Sequence, residues 1–395
     1  MLSLVAIHIA IALLELFIFA KRLHTSASRS MGALVESPVP NGLEETHLVR
    51  KHQNRAGSSF EEEDARTILL PDLFISIMSP EPRINPNYDT VRAEADEFAR
   101  QMLHLSDDAY KKHVQADFTL LAAMWIPDAN AEGLRIMADW LIWVFYFDDM
   151  FDVGHLRDDP EAAGAETEAT LALLCDSHEE ISPREHPLRY MQQSVWQRIC
   201  KGNPQVIKRY QSSMAAYIHG VVKQVDVRFS STKLDVDLYL HFRRESVGLH
   251  PCHAILEHAH GVDLPQDVLD HFAVKDCVLV SIDLVLLQND ILSYRKEKSL
   301  DVMHNLVHIF CREGSSAQEA VDKVGQLIQR SIRQWHHSLL DIPIWGEKID
   351  KQLQKYLKGC LELSIGNLNW SYATGRYLGR DGPEVRATRV LRLDS

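Results

Sequence analysis

Three carboxylates, Asp148, Asp149 and Asp152, follow directly on the most aromatic stretch of this chain. The preceding stretch (137–147, MADWLIWVFYF) has helical rather than alternating periodicity, which predicts a buried helix. Residues i and i+4 share one face of a helix, so Asp148 and Asp152 point the same way. Two carboxylates this close repel each other unless a cation lies between them, and oxygen ligands of this kind suit Mg²⁺. For this motif alone, a solvated acidic helix end is the alternative.

A second line of oxygen ligands lies far downstream, where Asn289, Ser293 and Glu297 fall at i, i+4 and i+8. Helical spacing places an amide, a hydroxyl and a carboxylate along one face, where they can chelate a hard cation. The preceding residues 278–287 are strongly apolar, so this line also ends a buried helix. The alternative is a helix that becomes exposed near its end. Two such lines together favour a metal site.

An anionic ligand of the metal needs donors, and arginine offers a fork that matches phosphate oxygens. Arg243 and Arg244 precede the second line, Lys296 lies inside it, and the pair Arg376 and Tyr377 comes after it. Taken alone, each of these is most often a surface charge.

Composition excludes several classes of protein. The net charge of −13 argues against a nucleic-acid partner. The six cysteines form no CxxC pair, which indicates a reducing, cytoplasmic compartment. The chain contains neither a Walker A motif nor a glycine-rich dinucleotide fingerprint.

The chain divides into four parts. In residues 1–22, the apolar stretch 2–20 is just long enough to span a membrane, and Lys21 and Arg22 would hold the rest of the chain on the cytosolic side. A non-functional extension, a start site nearer Met31, and secretion are the alternatives. Residues 23–68 read as a flexible polar lead-in, and 69–379 as one all-α domain with helices that include 131–149 and 264–297. Residues 380–395 read as a basic, apolar-poor tail that could be disordered.

The motif set DDMFD, NDILSYRKE, an upstream RR and a downstream RY resembles the class I terpene synthases. More narrowly it resembles fungal sesquiterpene synthases of the basidiomycete type, whose usual beginning and end match LPDLF and WSYATGRY. The resemblance covers residues 69–379. It departs at KSLDVMHNLV, where the family commonly has a glycine–aspartate pair before the His-Asn.

The resemblance implies a single class I α-helical bundle that ionises farnesyl diphosphate, cyclises the carbocation, and releases diphosphate with a sesquiterpene hydrocarbon or alcohol. It implies three Mg²⁺ ions, which Mn²⁺ can replace, and a monomer or homodimer. Geranyl or geranylgeranyl diphosphate is the alternative substrate. An inactive all-α binding protein is the alternative from another class.

The resemblance also assigns roles to the metal ligands. Asp148 bridges Mg²⁺ ions and Asp152 is the weaker ligand. Asn289, Ser293 and Glu297 hold a further ion.

For the diphosphate, either Arg243 or Arg244 is the sensor, and Lys296, Arg376 and Tyr377 are further contacts. Gly248 lies at a helix break that faces the substrate. The aromatic run before Asp148 is expected to form one wall of a carbocation cavity.

Overall fold

A computed structural model describes residues 67–175, 181–229, 235–302 and 304–393. The helices in these ranges are α1 (Tyr88–Met102), α2 (Asp107–Ala116), α3 (Phe118–Trp125), α4 (Ala131–Asp152), α5 (Pro160–Ala172), α6 (Pro187–Ile199), α7 (Pro204–Phe229), α8 (Val236–Ser246), α9 (Leu249–His260), α10 (Gln266–Leu269), α11 (Phe272–Ser299), α12 (Leu306–Arg312), α13 (Ala317–Leu340), α14 (Glu347–Ala373) and α15 (Gly382–Thr388). The predicted all-α fold is confirmed, and short 3₁₀ turns occur at Ser76–Met78 and Gly379–Asp381.

Helix α4 carries the first acidic motif. It begins after Asn130, whose side chain accepts a hydrogen bond from the Gly133 amide at 2.8 Å, as an N-cap residue does. It ends at Asp152 rather than at the predicted Asp149. All three carboxylates therefore lie on regular helix, which keeps Asp148 and Asp152 on one face.

Helix α11 carries the second line. The predicted single helix 264–297 is interrupted before Phe272, so it becomes the short α10 and the long α11. By length and composition α11 alone, among the described helices, could cross a membrane, but 78% of its apolar window is buried inside the bundle. It is a core helix, packed against α13 and α14.

The remaining helices surround these two. Helix α4 packs against α1, α3, α6 and α9, and helix α7 packs against α5, α8 and α9. One cavity opens between α3, α4, α8, α9, α11 and α14.

The two ends of the described chain meet in a small antiparallel sheet. Strand β1 (Thr67–Leu69) pairs with β2 (Val390–Arg392), with Ile68 opposite Leu391. Both of these side chains are buried, while Val390 is exposed. Residues 380–393 are thus built into the domain as α15 and β2, which corrects the expectation of a tail. The local pattern could not show this, because the pairing joins segments far apart in sequence. The predicted anchor, residues 1–22, lies outside the described residues.

Candidate active site

The three acidic side chains at the end of α4 each accept a hydrogen bond from another part of the fold. The Tyr217 hydroxyl donates to Asp148 Oδ1, and Gln224 Nε2 donates to Asp152 Oδ1 at 2.9 Å. Burial, followed by the neighbouring Asp152 carboxylate, raises the pKa of Asp148 to about 8. Holding the carboxylates of Asp148 and Asp152 close together costs free energy, which a bound cation would offset.

Asp149 points to a different partner. Arg376 Nη2 and Nη1 donate to its two oxygens at 2.9 and 3.2 Å, a bidentate pair that joins α4 to the segment after α14. The Arg376 guanidinium also lies 5.0 Å from the ring centroid of Phe145. Asp149 therefore positions an arginine.

Asn289 and Glu297 of the ligand line on α11 line the same cavity, whereas Ser293 between them is buried and does not line it. Arg243 Nη2 donates to Asn289 Oδ1 at 3.0 Å, and Asn289 Nδ2 donates to the Tyr377 hydroxyl at 2.8 Å. One helical turn further on, the Ser293 hydroxyl donates to the Asn289 carbonyl at 2.6 Å. Asn289 thus links the upstream arginine to the downstream tyrosine.

Glu297 at the end of this line is held by Asn305, a residue to which the sequence assigned no role at the site. Asn305 Nδ2 donates to Glu297 Oε2 at 2.8 Å and to the Asp290 carbonyl at 2.7 Å, while its Oδ1 caps α12 by accepting from the Val307 amide. Burial, and then the neighbouring Asp290, raises the pKa of Glu297 to about 7. The sequence departs from the family pattern just before Asn305, but the hydrogen bonds of Asn305 to Glu297 and to the Asp290 carbonyl are present. We call these two bonds the Asn305 clamp.

Asp148 and Asp152 of the first line and Asn289 and Glu297 of the second open on one cavity, which encloses about 900 Å³ including its opening. Its charged and polar lining consists of Asp148, Asp149, Asp152, Arg243, Asn289, Lys296, Glu297, Asn367, Arg376 and Tyr377. Its remaining lining is apolar apart from Gly248: Leu121, Trp125, Trp140, Leu141, Val144, Phe145, Val153, Val247, Leu249, Val285, Leu300 and Val302.

Three cationic side chains line this cavity. Nε of Arg243 and Nε of Arg376 are buried and donate to no atom in the part of the chain that the structure describes. The Arg243 Nε lies 3.9 Å from Asp290 Oδ1, beyond hydrogen-bond distance. Burial, followed by Arg376, lowers the pKa of Lys296 to about 8. Buried unpaired donors carry a free-energy cost, which an anion in the cavity would offset.

Arg244 is not part of this site. It makes a bidentate pair with Asp283, at 2.7 and 2.9 Å, and does not line the cavity. Successive residues on a helix point about 100° apart, so only one of two adjacent arginines faces a given neighbour. The structure places Arg243 there.

Gly248 lies at the break between α8 and α9, as expected. Its φ is +74°, a conformation that costs a residue with a side chain about 1–2 kcal/mol. A Cβ at this position would also lie 3.2 Å from the ring of Trp140. The break therefore exposes backbone between Val247 and Leu249, both of which line the cavity.

The aromatic run contributes less of the cavity wall than its composition suggested. Trp140 and Phe145 line the cavity. Trp143 and Phe147 instead stack at 4.7 Å, and Phe147 packs on Phe151 at 4.9 Å in the buried core. The expectation of a single aromatic wall is wrong for Trp143 and Phe147, because a helix that is apolar all round directs its side chains to several neighbours.

The donor set fits a hard divalent cation. It comprises carboxylates on α4 and an amide, a hydroxyl and a carboxylate on α11, all oxygen ligands. Among the described residues, no three His, Cys, Asp or Glu side chains converge on one point. The two lines instead face a shared space, where oxygen atoms of a ligand would have to complete the coordination.

Comparison with known proteins agrees with this geometry. Residues 139–334 match the model of the terpene synthase family 2, C-terminal metal-binding domain. The chain is 39% identical over 334 residues to terpene cyclase 4 of Gibberella fujikuroi, covering 84% of this chain and 92% of that protein. It is 30% identical over 328 residues to sesquiterpene synthase 3 of Postia placenta, covering 82% and 88%. A solved structure of a cucumene synthase variant superposes with a TM-score of 0.67 at 20% identity, covering 75% of this chain and 98% of that one.

The chain therefore belongs to the terpene synthase family, and it is a terpene cyclase with a metal-binding domain. Its relatives of similar length include named fungal sesquiterpene synthases.

Proposed function

We propose that this protein is a Mg²⁺-dependent sesquiterpene synthase that ionises farnesyl diphosphate and cyclises the resulting carbocation. The observation that carries the proposal is the convergence of two oxygen-ligand lines and two unpaired arginine Nε groups on one largely apolar cavity. Acidic ligands and cationic donors at the same place suit a metal-bound diphosphate rather than either ion alone.

Five side chains would hold the metal: Asp148 and Asp152 from α4, and Asn289, Ser293 and Glu297 from α11. When bound, Mg²⁺ neutralises the charge that builds on the departing diphosphate. Three ions are proposed, as in the family, with Mn²⁺ as a substitute.

The protein's own donors bind and orient the diphosphate. Arg243, Lys296, Arg376 and the Tyr377 hydroxyl all line the cavity. Their fixed positions favour the charge distribution of the ionising C–O bond, since donors already in place need no reorganisation during the step. Gly248 lets the chain backbone approach the same space.

The apolar part of the cavity protects the carbocation. Leu121, Leu141, Val144 and Val285 exclude water, and a cation formed in its absence rearranges before it is quenched. The face of Trp140 offers negative potential without acting as a nucleophile. The product is a sesquiterpene hydrocarbon, or an alcohol if water is admitted.

A fifteen-carbon substrate is proposed because a relative that aligns with most of the chain is named a sesquiterpene synthase. Geranyl and geranylgeranyl diphosphate are the competing substrates. The catalytic domain is proposed to be cytoplasmic, as a monomer or homodimer. Association with a membrane through residues 2–20 stays a prediction from the sequence.

The test is incubation of the purified full-length protein with geranyl, farnesyl and geranylgeranyl diphosphates, with Mg²⁺ and with a chelator, followed by gas chromatography and mass detection. We expect a cyclic C15 product from farnesyl diphosphate that disappears with the chelator. A folded protein that yields no terpene from any of the three substrates would contradict the proposal. A higher turnover of geranyl or geranylgeranyl diphosphate than of farnesyl diphosphate would show that the proposed substrate has the wrong chain length.

A further inference from the structure

Helix α7, which contributes no residue to the cavity lining, faces the acidic motif with two hydrogen-bond donors. Tyr217 donates to Asp148 and Gln224 donates to Asp152, each to Oδ1. The two donors are seven residues apart, about two helical turns, and therefore lie on one face of α7. Their acceptors are four residues apart on one face of α4. One helix thus serves both carboxylates expected to bind metal.

The Tyr217 hydroxyl is buried among apolar side chains and donates to Asp148. The side chain is fully buried, and its ring lies 6.2 Å from those of Trp143 and Phe147. Among these apolar neighbours a buried hydroxyl needs a hydrogen-bond partner, and in the described structure that partner is Asp148. The bond engages one oxygen of a carboxylate that has two, so the second stays available to a cation.

Helix α7 is itself fixed against the helix that carries Arg243. Between the two donors lies Gly220, where a Cβ would come within 2.8 Å of the Ser246 amide nitrogen at the end of α8. A glycine in mid-helix permits this close approach of two backbones. The positions of Tyr217 and Gln224 are thereby set relative to both α4 and α8.

We propose that Tyr217 and Gln224 are positioning residues of the metal site, which hold Asp148 and Asp152 turned toward the cavity before the metal arrives. The inference rests on the proposed function, because it assumes that these carboxylates bind Mg²⁺. Groups that orient metal ligands commonly change metal affinity or activity by about 10- to 100-fold when removed.

The test compares Tyr217→Phe with Tyr210→Phe. Tyr210 is the matched control: it lies on the same helix, is equally buried, and its hydroxyl meets Gln192 at 2.9 Å, away from the acidic motif. Binding is measured by calorimetry on the full-length protein, with inorganic pyrophosphate titrated at a series of Mg²⁺ concentrations. Thermal unfolding of both variants is recorded in parallel.

We expect Tyr217→Phe to raise the Mg²⁺ concentration needed for half-maximal pyrophosphate binding by about 10-fold or more, and excess Mg²⁺ to restore turnover. Tyr210→Phe should match the native protein in its Mg²⁺ requirement for pyrophosphate binding and in its turnover. Gln224→Leu, at a half-buried position, gives an independent test if Tyr217→Phe fails to fold, and should raise the requirement by a smaller factor.

Equal Mg²⁺ dependence in the native protein, Tyr217→Phe and Gln224→Leu would overturn the inference and leave the proposed function standing. If the native protein itself binds no pyrophosphate in the presence of Mg²⁺, the proposed function fails and the inference fails with it.

Discussion

The two helices that carry the oxygen ligands are supported in different ways. The carboxylates of α4 take their hydrogen bonds from residues 69, 72 and 227 positions away, on α7 and on the segment after α14. On α11, Ser293 bonds four residues back to Asn289, and Asn305 reaches Glu297 from eight residues on. The first set of ligands depends on the assembled fold, whereas Ser293 and Glu297 of the second set are held by their own stretch of chain. In the described part of the chain, Asn289 alone of the second set has distant partners, Arg243 and Tyr377.

This contrast predicts where the site is vulnerable. Changes in the packing of α7 should disturb the α4 ligands Asp148 and Asp152 and leave the α11 line in place. Changes in the loop before α12 should do the opposite. Four sets of variants test this contrast between α4 and α11, and the expected loss of activity decreases from the first set to the last.

The largest effect is expected from Asp148→Asn. The amide cannot supply the negative charge of a bridging ligand, and a bound metal contributes several kcal/mol to the step, so kcat/KM should fall by about 10³-fold or more. The matched control is Asp283→Asn on α11, which removes a carboxylate that pairs with Arg244 outside the cavity. Steady-state kinetics with farnesyl diphosphate would measure both. Retention of a tenth of native activity in Asp148→Asn would contradict the role of α4.

Next in size is the difference between Arg243→Lys and Arg244→Lys. Lysine cannot reproduce the arginine fork, and the loss of one preorganised donor commonly costs about 10²–10³-fold. Arg243→Lys should lower kcat/KM by about that factor and weaken inhibition by pyrophosphate, whereas Arg244→Lys should change both by less than about 10-fold. Similar losses in the two variants would show that α8 presents both arginines to the substrate.

A smaller effect is expected when the hydrogen bond from Asn305 to Glu297 is removed. Asn305→Ser keeps an oxygen that can cap α12 but removes the amide donor to Glu297. The Mg²⁺ concentration for half-maximal activity should rise by about 10-fold or more. Stability should fall by about 1 kcal/mol, because the buried bond to the Asp290 carbonyl is lost as well. Asn305→Ala, which removes the cap as well, should cost about 1 kcal/mol more in stability. If both the serine and the alanine variants lose only stability and keep the native Mg²⁺ requirement, Asn305 has a structural role and does not position Glu297.

The smallest effect on rate is expected on the aromatic faces of α4. Trp140→Phe alters the cavity wall, so it should change the ratio of products while kcat stays within about 10-fold of native, since one wall contact is worth about 0.5–2 kcal/mol. Trp143→Phe, in the core, should keep the product ratio and lower the free energy of unfolding by about 1–2 kcal/mol. Gas chromatography and thermal denaturation separate the two. A changed product ratio in Trp143→Phe would show that the core face also shapes the cavity.

The sequence predicted what is local. Helical type and the two ligand lines derive from spacing and residue type within a few turns, whereas the break at Gly248 was implied by the family resemblance. It could not choose between Arg243 and Arg244, because that choice depends on how α8 is rotated against α11. For the same reason it did not show that Tyr217 and Gln224 support the acidic motif, or that Trp143 faces the core.

The small sheet joins the two ends of the domain, so it can form only after the C-terminal strand has been synthesised. Strand β1 must wait for β2, since Leu70 donates to the Arg389 carbonyl at 2.7 Å only once that residue exists. Arg295, beside the α11 ligands, likewise waits for its partners Leu378 and Asp381, which come after Arg376 and Tyr377. A nascent chain that already contains both ligand lines therefore still lacks Arg376 and Tyr377, the proposed diphosphate contacts. The contacts that complete this end of the cavity therefore form only after nearly the whole domain has been synthesised.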